Sequence, residues 1–206
     1  MKYPSRKYKN VDNFLTDYFN EYKRASETVK LDTVKKTALL FKEAIFNKNT
    51  IFLCGNGHSA AISNAFESDY VKCLRSNTPM MPNVRSLASN SSMITCLAND
   101  ISYDEIFSYQ LESLARPDDL LVTISSSGNS ENVVRAAQAA IDNKITCIAM
   151  TGFDGGRTQK IADINIHVES RNYGVVEDVH QSILHGLGQF LRQDQMSQKD
   201  IETVSL

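Results

Sequence analysis

Leu120-Leu121-Val122-Thr123-Ile124-Ser125-Ser126-Ser127-Gly128-Asn129-Ser130-Glu131-Asn132 decides the fold, because it passes from an apolar run through a hydroxyl-rich loop into a helix. The run is short, rich in branched residues and apolar on both faces, which marks a fully buried parallel strand. Glu131 to Asp142, rich in alanine and valine, reads as the helix that follows. The loop between them gathers serine hydroxyls just ahead of a helix N-terminus. Unpaired N–H groups and a partial positive charge hold phosphate at such a place, and the hydroxyls add donors. The plainer alternative is that Ser130 and Asn129 only cap the helix. A run of hydroxyls directly after a core strand favours the anion site. The GxxxxGK pattern of a nucleotide-binding loop is missing.

The same strand-and-turn grammar recurs on either side. Ile51-Phe52-Leu53-Cys54 ends in Gly55-Asn56-Gly57-His58-Ser59, and Ile145-Thr146-Cys147-Ile148-Ala149-Met150 ends in Thr151-Gly152. Ile164-Asn165-Ile166-His167-Val168 is a fourth candidate strand. Apolar strands alternating with helices predict an α/β fold, a doubly wound parallel sheet in a three-layer sandwich with N-terminal helices. Those helices show in Val11, Phe14, Leu15, Tyr18, Phe19 and Tyr22, and again in Val34, Ala38, Leu39, Phe41 and Ile45, with Asn10 or Asp12 as the first cap. Residues 175–193 predict a closing helix, and the polar stretch after Gln193 a frayed tail.

Composition excludes several function classes. The 206 residues suit one domain, with a 42% hydrophobic fraction, a net charge of -2 and a pI near 6.1. That balance argues against a general binder of nucleic acid or membrane surfaces. No apolar run reaches the roughly 18 residues that span a bilayer, and the basic start Met1–Lys7 leads into polar sequence rather than a signal peptide. Cys54, Cys73, Cys96 and Cys147 have no CxxC spacing and read as reduced cysteines, which suits a cytoplasmic protein.

Parallel sheets bind ligands at the carboxyl ends of their strands. There the glycine loop offers Asn56 and Ser59 as further donors beside the serine loop.

Taken together, Cys54-Gly55-Asn56-Gly57, Ala98-Asn99-Asp100, Ile124 to Ser130 and Thr151-Gly152-Phe153-Asp154-Gly155-Gly156 resemble the sugar isomerase (SIS) domain, a flavodoxin-like fold, over roughly residues 10–193. Their order and spacing look most like the phosphoheptose isomerases, which interconvert sedoheptulose 7-phosphate and a heptose 7-phosphate. The resemblance implies a homotetramer in which residues 1–50 pack between subunits, residues 50–194 bind the phosphorylated sugar and 195–206 form the tail. It places the phosphate on Ser59, Ser125, Ser126, Ser127 and Ser130, and the sugar near Asn56, Gly57, Asp100 and Glu177.

Aldose–ketose isomerisation moves a proton between neighbouring carbons through an enediol, so one group takes it and another serves the oxygens. The resemblance gives these roles to Asp69 and His185, His185 lying in the helical stretch Glu177-Asp178-Val179-His180-Gln181-Ser182-Ile183-Leu184-His185. Asp69 is one methylene shorter than the family's glutamate, and misplacement of about 1 Å can cost about a hundredfold in rate. Related isomerases can hold zinc, but one ligand position is Ala65 here. Asp69, Glu177 and His185 would make a three-ligand zinc site, with His58 as a further imidazole at the mouth. The same substitutions would also suit a non-catalytic protein of the DnaA initiator-associating type, or a sugar-phosphate sensor.

Overall fold

The computed structural model describes residues 3–204. Five parallel strands, β1 (Thr50–Gly55), β2 (Asn83–Ser86), β3 (Leu120–Ser125), β4 (Thr146–Thr151) and β5 (Ile164–His167), form one sheet in the order β2-β1-β3-β4-β5. This is the expected doubly wound α/β architecture, and the residues explain it. Side chains alternate across a strand. Ile51, Leu53, Val122, Ile124, Ile148 and Met150 face one core, where they meet α1 (Val11–Ser26), α2 (Leu31–Asn47), α3 (His58–Cys73) and α8 (Tyr173–Asp194). Phe52, Cys54, Leu121 and Cys147 face a second core, completed by residues of α4 (Ser91–Asp100), α5 (Ser108–Leu114), α6 (Glu131–Asp142) and α7 (Thr158–Ile161). Both faces are covered, which is why the strands are apolar throughout.

Three boundaries differ from the sequence reading. β2 is not among the expected strands. Asn83-Val84-Arg85-Ser86 is a short edge strand that buries only alternate residues, so its signal is weak. The N-terminal helical region breaks at residues 27–30 without glycine or proline, and α2 ends at Lys48 in the left-handed conformation, φ 63°. The polar tail carries a short helix, α9 (Gln198–Thr203), because Ser197 caps it by accepting from the Asp200 N–H; it buries no residue. Residues 205 and 206 of that tail lie outside the described residues. Asn10 caps α1, as the sequence suggested, its side chain accepting from the Asn13 N–H. All four cysteines are free thiols. No helix among the described residues is long and apolar enough to cross a membrane.

β1 and β3 are neighbours, but β1 leads towards β2 on one side of the sheet while β3 leads towards β4 on the other. The chain directions diverge at that point, and a crevice opens beyond the carboxyl ends of the two strands. The glycine loop and the serine loop stand on its two sides.

Candidate functional site: a serine cradle and a histidine–aspartate pair

The serine loop is built by backbone contact with its neighbour. The Gly128 carbonyl accepts from the N–H groups of Arg157 at 2.8 Å and Thr158 at 3.0 Å, and the Ser126 carbonyl accepts from the Gly152 N–H at 3.0 Å. Gly128 has φ +63°, and a Cβ there would lie 2.1 Å from the Gly155 carbonyl oxygen. Only glycine lets the two loops meet so closely. Gly128→Ala is expected to cost about 1–3 kcal/mol from backbone strain alone, and at least about a tenfold loss of phosphate affinity as the loop is pushed aside. Thermal melting and phosphate calorimetry check this; unchanged affinity would mean that the loop backbone does not shape the anion site.

This loop forms one wall of a cavity of about 160 Å³, lined by Asn56, Ser59, Ile124, Ser125, Ser126, Ser127, Ser130, Tyr173 and Glu177. Its hydroxyls are not used up by the fold. Ser130 occupies the N-cap position of α6 but makes no side-chain cap hydrogen bond. The Ser126 hydroxyl is buried without a partner, in a residue only 5% exposed. A buried hydroxyl left unpaired costs about 1–3 kcal/mol, which a ligand oxygen would recover. The capping alternative for Ser130 therefore does not describe this loop. Ser125 accepts from the Gly128 N–H at 3.1 Å and Ser127 from the Asn129 N–H at 3.3 Å, which leaves their hydroxyl protons to donate.

Glu177 reaches the cradle from α8. Burial raises its proton affinity, opposed by the nearby His58. The proton-bearing form would offer an O–H donor beside the serines. Tyr173, one turn earlier, also lines the cavity and stacks edge-on against Phe153 at 4.6 Å. The sequence reading missed it, since a lone exposed tyrosine at a helix start carries no motif.

Asp69 and His185 are brought together elsewhere. His185 Nδ1 lies 2.9 Å from an Asp69 carboxylate oxygen, and its Nε2 lies 2.6 Å from Gln181 Nε2. The tautomer that satisfies both contacts carries its proton on Nδ1, donates to Asp69 and accepts from the Gln181 amide. In that tautomer the Nε2 lone pair is engaged by the Gln181 N–H, and Nε2 would be free to take a proton once that amide gives way. The pair depends on the packing of α3 against α8. Tyr70, next to Asp69, presses on Gly188, where a Cβ would stand 3.1 Å from the tyrosine ring. A helical glycine costs about 1 kcal/mol relative to alanine, and here it admits the ring that sets the two helices' spacing.

The structure separates residues that the sequence reading grouped. Glu177 and His185 are eight residues apart on α8, or about 12 Å along its axis. The zinc set of Asp69, Glu177 and His185 is therefore not assembled within this chain, and among the described residues no three metal-ligating side chains converge. Asp100 lies exposed at the end of α4, engaged by the Asn99 amide at 2.8 Å and the Cys96 thiol at 3.6 Å, and does not line the cavity. Gly57 shapes the turn as the N-cap position of α3 with φ 55°, also outside the lining.

Comparison with known proteins identifies the family of this fold. The SIS domain matches residues 16–152. A phosphoheptose isomerase of Alteromonas mediterranea is 36% identical over 168 residues, covering 80% of this chain and 84% of that protein. Its counterpart in Shewanella oneidensis is 36% identical over 159 residues, covering 76% and 80%. Among solved structures, phosphoheptose isomerase from Francisella tularensis superposes with a TM-score of 0.81 at 26% identity, covering 89% of this chain and 96% of its own. That from Neisseria gonorrhoeae superposes at 0.79 and 27%, covering 88% and 97%. The chain belongs to the SIS-domain family and sits, by sequence and by fold, with its phosphoheptose isomerases.

Proposed function

We propose that this chain is a phosphosugar ketose–aldose isomerase that converts sedoheptulose 7-phosphate to D-glycero-D-manno-heptose 7-phosphate. The observation that carries the reading is the cradle at the β3–α6 junction, where a buried Ser126 hydroxyl has no partner and Ser130 caps nothing. In this reading the serines and the α6 N-terminus hold the phosphate. Asn56 and Glu177 contact sugar oxygens. His185, oriented by Asp69, moves the proton between the first two carbons, and the enediol oxygens exchange protons with neighbouring groups.

Glu177, which lines the cradle, and the same chain's His185 stand about two helical turns apart, and His185 does not line the cavity. The cradle of one subunit is therefore read as facing the Asp69–His185 pair of another, within a homotetramer. An apolar groove of about 820 Å³, lined in part by Leu31, Leu39 and Phe190, supports burial against another subunit. Those three side chains are 77%, 54% and 53% exposed in the single chain. Apolar exposure on that scale marks an interaction surface.

The first test is conversion of sedoheptulose 7-phosphate to an aldoheptose phosphate by the purified protein. Tight phosphosugar binding without turnover would favour a sensor. Capture of a replication initiator without phosphosugar binding would favour the non-catalytic relative suggested by Ala65 and the shortened Asp69. The composite site has its own test. Mixing inactive Ser125→Ala/Ser127→Ala chains with inactive His185→Ala chains is expected to restore measurable activity, because some assembled sites receive both intact halves. No rescue in verified mixed oligomers would place cradle and histidine in the same chain.

A further inference from the structure

Asn56 lines the cavity beside the serines, yet its amide is not free to turn. Its Nδ2 donates to Asn132 Oδ1 at 2.8 Å, and Asn132 Nδ2 donates back to Asn56 Oδ1 at 3.0 Å. The Tyr103 hydroxyl donates to the same Asn56 oxygen, also at 3.0 Å. Asn132 is the second residue of α6 and only 1% exposed, so burial holds its side chain in place. Tyr103 stands on the short 3-10 turn Tyr103–Glu105 and is largely exposed.

An amide oxygen accepts two hydrogen bonds, and an amide nitrogen donates two. Both acceptor positions of Asn56 are filled, and one of its two N–H groups is spent. One N–H remains for the cavity. A reciprocal amide pair by itself is satisfied equally well with both amides reversed. The Tyr103 phenol biases the pair, since a phenol donates more readily than it accepts and so favours the orientation that presents oxygen.

We propose that Asn132, assisted by Tyr103, is a positioning residue that fixes Asn56 as a hydrogen-bond donor, so that the cavity selects a sugar bearing an acceptor oxygen at that point. The inference rests on the phosphosugar reading of the same cavity and goes beyond it by assigning the polarity of one contact and the residues that set it. A preorganised donor gains most when the oxygen it meets becomes more negative, as in an enediolate, so the loss of orientation appears more in kcat than in KM.

Three variants test it. Asn132→Leu removes both hydrogen bonds between Asn132 and the Asn56 amide at similar size. Asn132→Asp still accepts from Asn56 but, when ionised, sets an oxygen against the Asn56 oxygen in either orientation, so the reciprocal pair no longer fixes the amide. Tyr103→Phe removes only the biasing phenol, from an exposed side chain with little bearing on folding. Turnover of sedoheptulose 7-phosphate is measured, with calorimetric affinities for that sugar and for inorganic phosphate. The expected result is about a tenfold or greater fall in kcat/KM for the Asn132 variants, carried mainly by kcat, and a few-fold fall for Tyr103→Phe. Inorganic phosphate affinity stays within about twofold of wild type, because the serines are untouched. The Asn132→Asp deficit narrows as the pH is lowered, when the new carboxyl takes a proton and donates again.

Unchanged sugar efficiency in the variants overturns the proposal, as does parallel loss of sugar and inorganic phosphate in Tyr103→Phe. Should the Asn132 variants fail to fold, Tyr103→Phe decides alone by the same ratio. Failure of the wild type to bind or convert the phosphosugar would instead defeat the functional reading. A wild type that binds without turnover leaves the ratio of sugar to phosphate affinity as the readout.

Discussion

His185→Ala is expected to lower kcat for sedoheptulose 7-phosphate by about 10²–10⁴-fold, the range that a positioned acid–base group contributes. Phosphosugar affinity should change little. Glu177, which lines the serine cavity, lies about two turns of α8 from His185 in the same chain, and His185 does not line that cavity. Asp69→Asn is expected to follow the same pattern through a different cause. The aspartate accepts the Nδ1 proton at 2.9 Å and thereby keeps the lone pair on Nε2. A carboxamide can turn its N–H towards the ring, stabilise the opposite tautomer and remove the base; a comparable tautomer error in the serine-protease triad costs about 10⁴ in kcat. Turnover measured beside calorimetric binding separates the two readouts. If His185→Ala kept a tenth or more of wild-type kcat, the pair would have no part in the chemistry.

The second large effect concerns stability and comes from a different histidine. His180 is fully buried in α8, where one ring nitrogen lies 3.2 Å from the Thr151 carbonyl oxygen and the other has no partner. Thr151 in turn contacts His167 Nδ1 at 2.9 Å and donates to Asn165. Desolvation pulls the His180 pKa down to about 4, from an ordinary 6.5; the Thr151 carbonyl opposes this and His167 adds to it. The unfolded chain therefore takes up a proton in a window where the folded chain refuses it. Stability from this group is complete above about pH 6.5 and is lost as the pH falls towards 4. The loss reaches about 3 kcal/mol, since each tenfold difference in proton affinity between the unfolded and the folded chain is worth about 1.4 kcal/mol. His180→Gln keeps a donor for the Thr151 carbonyl but does not titrate. Urea denaturation at several pH values between 7 and 4 is expected to show a shallower decline for this variant, by about 3 kcal/mol over the range. Parallel declines in the two proteins would assign the acid sensitivity to other groups.

Much of the fold was legible because its signals are local. The apolar runs at 51–54, 120–124, 145–150 and 164–168 all mark strands of the sheet, and the alanine-rich stretch 131–142 is a helix over those same residues. The serine loop was legible for the same reason, since strand, hydroxyls and helix start follow one another along the chain. β2 escaped because an edge strand with two exposed residues lacks a continuous apolar run. Tyr103 and Asn132 escaped because neither carries a motif; their role appears only where they meet one amide.

What the sequence determined by itself is the alternation of strand and helix and the loop that can cradle an anion, since each depends on neighbours a few residues apart. The tertiary structure alone decided which distant side chains meet. Asp69 finds His185 across the packing of α3 on α8, while Glu177, which the sequence set beside them, is carried by the pitch of its own helix to the serine loop. Hydrophobic period fixes which face of a helix turns inward. It does not fix the axial offset between two helices, and that offset, set by contacts such as Tyr70 on Gly188, determines which polar groups come within reach of one another.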